Sequence, residues 1–272
     1  MVAMNISKAL GQAHQLPVYS LNSQRALKLI NRPNTSLKDL AQTIGADQSL
    51  SVKLLRIVNS AAFALPRTIT RISEAIPYIG IEETRKVILA ASAQSLFGGA
   101  QNRDTWVHAL ASAHIAEALH RLTNFGQDSD DAFMGGLLHD IGKTYLQKQY
   151  PSMYQKVFLR VRDGMAPGEA EEAEFGMDHA RVGGEMLLHW NFAPQLREAV
   201  ANHHCLTETT EPLTFMVALA NQIAHFEDGS VNDEPDSRAM AFFGLDPERA
   251  LEIKKSVSLA IERFEQKISA LY

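Results

Sequence analysis

An imidazole and a carboxylate stand side by side at His139-Asp140, inside the stretch Gly135-Gly136-Leu137-Leu138-His139-Asp140-Ile141-Gly142-Lys143. Small residues and leucines lead into the polar pair, and Gly142 follows it, permitting close backbone approach. A lone pair of this kind in an apolar segment is more often a hydrogen-bonded core histidine than a ligand, so partners elsewhere must decide. His108, His179 and the doublet His203-His204 stand in helix-start or helix-face contexts, one ligand group per helix or helix pair. Imidazole nitrogens with a carboxylate suit Fe, Mn, Ni or Zn better than Ca or Mg, and helical bundles hold such ions by drawing ligands from several helices. Lys143 carries a charge that could meet a phosphate oxygen, and suits a solvated helix surface equally well.

The remaining candidates have less context. His14, His114, His120, His189 and His225 read as structural or surface residues. Cys205 reads as a small buried hydrophobe rather than a ligand. Trp106 and Trp190 read as core anchors, without an aromatic ladder for stacking on bases.

The elements that must position these residues are all helical in pattern. A short helix over residues 1–15 is stopped at Leu16-Pro17, and a second runs over Leu21 to Ile30. Leu37, Leu40, Ala41 and Ile44 follow the capping residues Asn34-Thr35-Ser36. Gln48 to Ala62, Ile72 to Ile79 and Glu82 to Phe97 continue the run, and Gly98-Gly99-Ala100-Gln101-Asn102 marks a lobe boundary. Helices are then predicted over Thr105 to Leu122, through the His-Asp motif, over Tyr150 to Arg162, Ala180 to Leu188, Gln195 to His203 and Leu213 to Phe226. The acidic segment Glu169 to Glu174 reads as a separator and Glu227 to Asp236 as an exposed loop. Asp246 as cap and Pro247 start a long terminal helix.

Composition bounds the rest. The 272 residues are 46% hydrophobic, enough for a buried core, and carry 26 Lys plus Arg against 31 Asp plus Glu, a formal charge of -5. Whole-chain charge therefore gives no support for nonspecific binding to nucleic acid or anionic membranes. One cysteine excludes an intrachain disulfide and fits a reducing compartment. No secretory leader and no membrane span is apparent, so the cytoplasm is the expected location.

His108 in Trp-Val-His-Ala-Leu, His139-Asp140 and His179 in Asp-His-Ala-Arg-Val-Gly-Gly resemble the HD superfamily of metal-dependent phosphohydrolases, and His203-His204 resembles the paired histidines of its cyclic-dinucleotide phosphodiesterase branch. More closely, about Leu16 to Gly229 is similar to the HDOD domain, a bacterial signalling relative. Leu16-Pro17, Leu37-x-x-Leu-Ala, Leu54-Leu-Arg-Ile-Val-Asn-Ser, Ala75-Ile-Pro-Tyr-Ile-Gly and Trp190-Asn-Phe-Ala-Pro carry that likeness. The resemblance implies an all-α, two-lobe helical bundle: an extension over 1–15, an HDOD domain over 16–228 divided at 100/101 into a helical lobe and an HD-like metal lobe, then a loop and helix over 229–272. It implies His108, His139 and Asp140 as metal ligands, with His179, His203 and His204 bringing in a second ion. The final ligand of the family is an aspartate after alanine, and here the match is Ala220-Asn221, whose amide can coordinate but adds no negative charge. Cys205-Leu206-Thr207 also replaces the Gly-Tyr-Pro that follows the paired histidines in the phosphodiesterase branch.

The expected function is that of a signalling protein with one or two divalent transition metal ions, acting on a partner protein or on a nucleotide or phosphoester ligand. A phosphohydrolase is the alternative, with Asp140 and Lys143 as its catalytic residues. A third possibility is a helix-turn-helix over Ser36 to Ser60, with Lys53 and Arg56 on the second helix. The acidic composition and the leucine-rich second helix argue against nucleic acid.

Overall fold

The computed structural model describes residues 36–60, 63, 65–81, 84, 86–88, 103–123, 129–226 and 235–268. Among these the regular elements are helical and no strand occurs. The helices predicted over 1–15 and 21–30, much of that over 82–97, the stretch 98–102, residues 124–128 and the loop 227–234 lie outside the described residues. The described residues divide into two compact units, one formed by Asp104–Ser258, the other by residues up to Arg103 together with Leu259 onward.

In the second of these units, two side-chain caps set the helices. Ser36 Oγ accepts from the Asp39 amide at 3.1 Å to start α1 (Leu37–Gly45), and Asp47 Oδ1 accepts from the Leu50 amide at 3.0 Å to start α2 (Gln48–Val58). Helix α2 stops short of the predicted Ala62. The Asn59 side chain is engaged across the following loop, accepting from the Ile69 amide and donating to the Ile69 carbonyl, each at 2.7 Å. Helix α3 (Ile72–Ile79) follows, ending at Gly80 with φ 79. Leu40, Ile44, Leu54, Ile57, Val58 and Ile76 are all buried. Helix α2 exposes Gln48, Val52 and Arg56, with Ser51, Lys53 and Leu55 half-buried, and burial pushes the Lys53 ammonium below its ordinary range. That is a thin basic surface for a groove-reading helix.

The larger unit contains α4 (Arg103–Arg121, from Asp104), α5 (Ser129–Leu138), α6 (Ile141–Gln149), α7 (Pro151–Arg162), α8 (Pro167–Phe175), α9 (His179–His189), α10 (Pro194–Ala201), α11 (Pro212–His225), α12 (Ser237–Phe242) and the start of α13 (Pro247–Ile268). Proline opens α7, α8, α10 and α11, where its missing amide proton would have had no helical partner. Asp178 caps α9 through the Arg181 amide at 2.9 Å, and Asp246 caps α13 through the Arg249 amide at 2.7 Å. No helix among the described residues is long and apolar enough to cross a membrane.

Three sequence expectations change here. The His-Asp motif does not ride on a helix: α5 ends at Leu138, α6 begins at Ile141, and the pair occupies the turn between them. The ring of His139 takes the Gly136 carbonyl at 2.8 Å, the acceptor that the residue 140 amide would use if the helix ran on. The acidic separator is itself helix α8, with Glu171 and Glu174 turned inward. Helix α12 was not anticipated, because six residues are too few to display a period.

Candidate metal centre

Two glycines let the motif reach its neighbours. A β-carbon at Gly136 would lie 2.5 Å from the Ser112 carbonyl oxygen, so only glycine allows α5 to press against α4, the helix that carries His108. At Gly142 a β-carbon would overlap the His179 carbonyl oxygen, so α6 abuts α9 at its first residue. The glycines bracketing His139-Asp140 therefore draw the helix bearing His108 and the helix bearing His179 to opposite sides of one turn.

All seven residues singled out as ligands meet there. His108 Nε2 lies 3.2 Å from His139 Nε2 and 3.1 Å from Asn221 Oδ1. Asp140 Oδ1 lies 3.1 Å from His179 Nε2, 3.7 Å from His139 Nε2 and 3.9 Å from His203 Nε2. His179 Nε2 is 3.0 Å from His204 Nε2. Two groups have donor atoms close enough to share an ion, Asp140 with His179, His203 and His204, and His108 with His139 and Asp140. Asp140 is common to both. His139, Asp140, His179, His203 and Asn221 are buried, His108 is partly exposed and His204 exposed, which leaves one side of the cluster open. Lys143 Nζ stands 3.5 Å from Asp140 Oδ2.

The donor set tests whether a cation fits. His139 Nδ1 faces the Gly136 carbonyl at 2.8 Å and His203 Nδ1 faces the Val200 carbonyl at 2.7 Å. A carbonyl only accepts, so both rings carry their proton on Nδ1 and turn a bare Nε2 lone pair into the cluster. Burial lowers the pKa of both imidazoles and disfavours a second proton. His203 Nε2 is buried without a hydrogen-bond partner among the described residues. Burial likewise holds His108 down to about 3 and His204 to about 4, each with help from neighbouring histidines. Asp140 is buried, but His139, His179 and Lys143 outweigh that and hold its carboxyl well below the usual range. Inward lone pairs around one ionised carboxylate suit a divalent cation.

His179 is different. Burial opposes its charged form, yet hydrogen bonds to Asp140 and Glu171 outweigh this and raise it to about 10. Glu171 Oε2 takes the His179 Nδ1 proton at 2.6 Å and the His179 backbone amide at 2.8 Å, while Glu171 Oε1 accepts from the Tyr154 hydroxyl at 2.6 Å. Sequence reasoning missed Glu171. Its signal was Pro167 as a helix start, after which Ala170, Glu171, Glu174 and Phe175 fall on one face. His225, set aside as structural or surface, stacks on His108 with ring centroids 4.1 Å apart. Its position four residues after Asn221 on one helix was the available clue. Cys205 is exposed, contrary to the buried reading, because it follows the end of α10 in a turn.

The fold and the site together define an all-α protein of the HD-like class, with histidines and an aspartate gathered at helix ends. The HDOD domain model matches residues 16–206, and the chain belongs to that family. Three solved structures share the fold. An HDOD domain protein with unknown function from Geobacter sulfurreducens is 22% identical, with a TM-score of 0.75 over 96% of this chain and 98% of that one. A candidate phosphohydrolase from Shewanella amazonensis is 23% identical, with a TM-score of 0.73 over 97% and 98%. A candidate signal transduction protein from Marinobacter aquaeolei is 17% identical, with a TM-score of 0.76 over 99% and 62%. An uncharacterized protein of Treponema pallidum is 27% identical over 257 residues, 92% of this chain, and the chain spans about half the length of that curated relative.

Proposed function

We propose that this chain is a signalling protein of the HDOD family whose His/Asp cluster holds one or two divalent transition metal ions, Fe, Mn, Ni or Zn, and which acts by binding a partner protein or a nucleotide or phosphoester ligand. His108, His139, Asp140, His179, His203, His204 and Asn221 are its ligands in this reading. Residues 16–228 form the regulatory domain, with 101–228 as the metal lobe, 1–15 and 229–272 as flanking segments, and the cytoplasm as its place. The observation that carries the proposal is the pair of bare Nε2 lone pairs, on His139 and His203, aimed into a buried cluster around one carboxylate. Among the described residues His203 Nε2 meets no donor, and His139 Nε2 meets only the ring nitrogen of His108 at 3.2 Å. Metal content decides it, measured on protein purified without chelator and then incubated with Fe or Mn. Retention of metal is expected, together with its loss in Asp140→Ala, the residue common to both groups, and a wild type that stays metal-free would end the proposal.

A second reading has its own observation, Lys143 beside Asp140 on a cluster whose His204 side is exposed. In it the chain is a phosphohydrolase. A bound divalent ion supplies Lewis acidity and lowers the pKa of water. Asp140 then orients the attacking water, and Lys143 faces the phosphoryl oxygens as a point charge. The neutral Asn221 weighs against it. Hydrolysis of a generic phosphodiester by metal-loaded protein, abolished in His139→Ala, is the result that would favour it over the binding role.

A further inference from the structure

The two ligand groups differ in what stands behind them. His139 and His203 press their Nδ1 protons against neutral backbone carbonyls. His179 presses its own against a carboxylate that is fully buried. One oxygen of Glu171 takes both the ring and the backbone proton of His179, so the residue is gripped at two points and its ring cannot turn without breaking a short hydrogen bond. The other oxygen is fixed by Tyr154 from α7. An ionised acceptor behind an imidazole makes its far nitrogen a stronger donor to metal and fixes its tautomer. Among the described residues the opposite group shows no such support, His139 resting on the Gly136 carbonyl, and where a further carboxylate would complete it, Asn221 offers a neutral oxygen.

We infer that Asp140, His179, His203 and His204 form the tighter of two metal positions, the group of His108, His139 and Asn221 forming the weaker, and that Glu171 is the positioning residue responsible. This rests on the metal-binding reading above. Glu171 touches no metal; it acts through His179.

The test is a Zn2+ titration of the full chain against a competing chromophoric chelator. Wild type is expected to take up a first equivalent tightly and a second more weakly. Glu171→Gln keeps the shape and removes the charge, and should weaken the first equivalent by roughly 10- to 100-fold. His108→Ala should lose the second equivalent and keep the first. A structural defect would not reproduce the accompanying spectral signature. In the Zn2+-loaded protein the His179 Nδ1 proton should resonate at low field, and in Glu171→Gln it alone should move upfield while those of His139 and His203 stay.

Should Glu171→Gln fail to fold, Tyr154→Phe decides, since it removes one donor to Glu171 and leaves the bonds to His179. A several-fold weakening of the first equivalent is expected there, and none would overturn the inference. Equal first-site affinity in wild type and Glu171→Gln, or loss of the first equivalent in His108→Ala, would overturn it while leaving metal binding standing. Wild-type protein that takes up no Zn2+ overturns both.

Discussion

Asn221 sits among ionisable residues without being one, and its amide oxygen 3.1 Å from His108 makes it the residue at which a single atom's replacement matters most. Asn221→Asp changes neither size nor shape but adds a negative charge at the cluster. Two unit charges 4 Å apart interact by about 1 kcal/mol in water and about 4 kcal/mol at the effective dielectric near a protein surface, so metal affinity should rise by roughly tenfold or more. Competition against a chelator measures it, and unchanged affinity would show that the amide does not face the ion. This position was legible in the sequence because Ala220-Asn221 stands where a known motif has its aspartate. The histidines were legible for the same reason. Glu171 was not, since a glutamate in an acidic run declares nothing until the helix is known to turn it inward, where Tyr154 and His179 wait on other elements. His225 was hidden similarly: its stacking on His108 is a contact between residues far apart in sequence.

At the scale of elements, helix existence followed from periodicity and caps, as Ser36 and Asp246 illustrate with their bonds to the amide three residues on. Boundaries at the site did not follow. At the break between α5 and α6 the His139 ring donates to the Gly136 carbonyl, and no pattern of apolar residues encodes that. The helix contacts beside the break give a sharper prediction. Gly142→Ala would drive a methyl group into the backbone at His179, and Gly136→Ala into that at Ser112 and Ala113. Backbone cannot swing aside as a side chain can, so each substitution should destabilise the protein by about 1–3 kcal/mol and reduce metal retention, because helices α6 and α9 or α4 and α5 are held apart. Gly168→Ala is the control. It lies within α8, where a β-carbon finds only the Asp178 side chain at 3.8 Å, so it should be neutral or stabilise by up to about 1 kcal/mol. Denaturant unfolding of the three variants checks the order, and equal destabilisation of all three would contradict it.

For the whole molecule the relevant fact is that the seven candidate ligands all belong to the unit formed by Asp104–Ser258, and none to the unit that contains residues 36–88. They arrive from α4, the turn between α5 and α6, α9, the turn after α10, and α11, and so converge only when that unit is folded. An ion that binds the folded form and not the unfolded chain stabilises by RT ln(1 + [L]/Kd), about 2.7 kcal/mol at a free concentration one hundred times Kd. For a unit of this size each kcal/mol moves the melting temperature by about 2–4 °C, so saturating metal should raise it by roughly 5–11 °C over chelator-treated protein. Since the chain has two units, one melting curve is not a two-state measurement, and hydrogen exchange followed by segment is the better probe. Metal should slow exchange in α4, α9 and α11, which carry ligands, and in α6, which Asp140 precedes, and leave α1 and α2 little changed. Asp140→Ala, which withdraws the ligand common to both groups, should remove both effects together. If metal slowed exchange in α1 and α2 as strongly as in α9, stabilisation would not be confined to the unit that holds the ligands. If it slowed exchange nowhere, the lone pairs on His139 and His203 would have to be satisfied by something other than a cation.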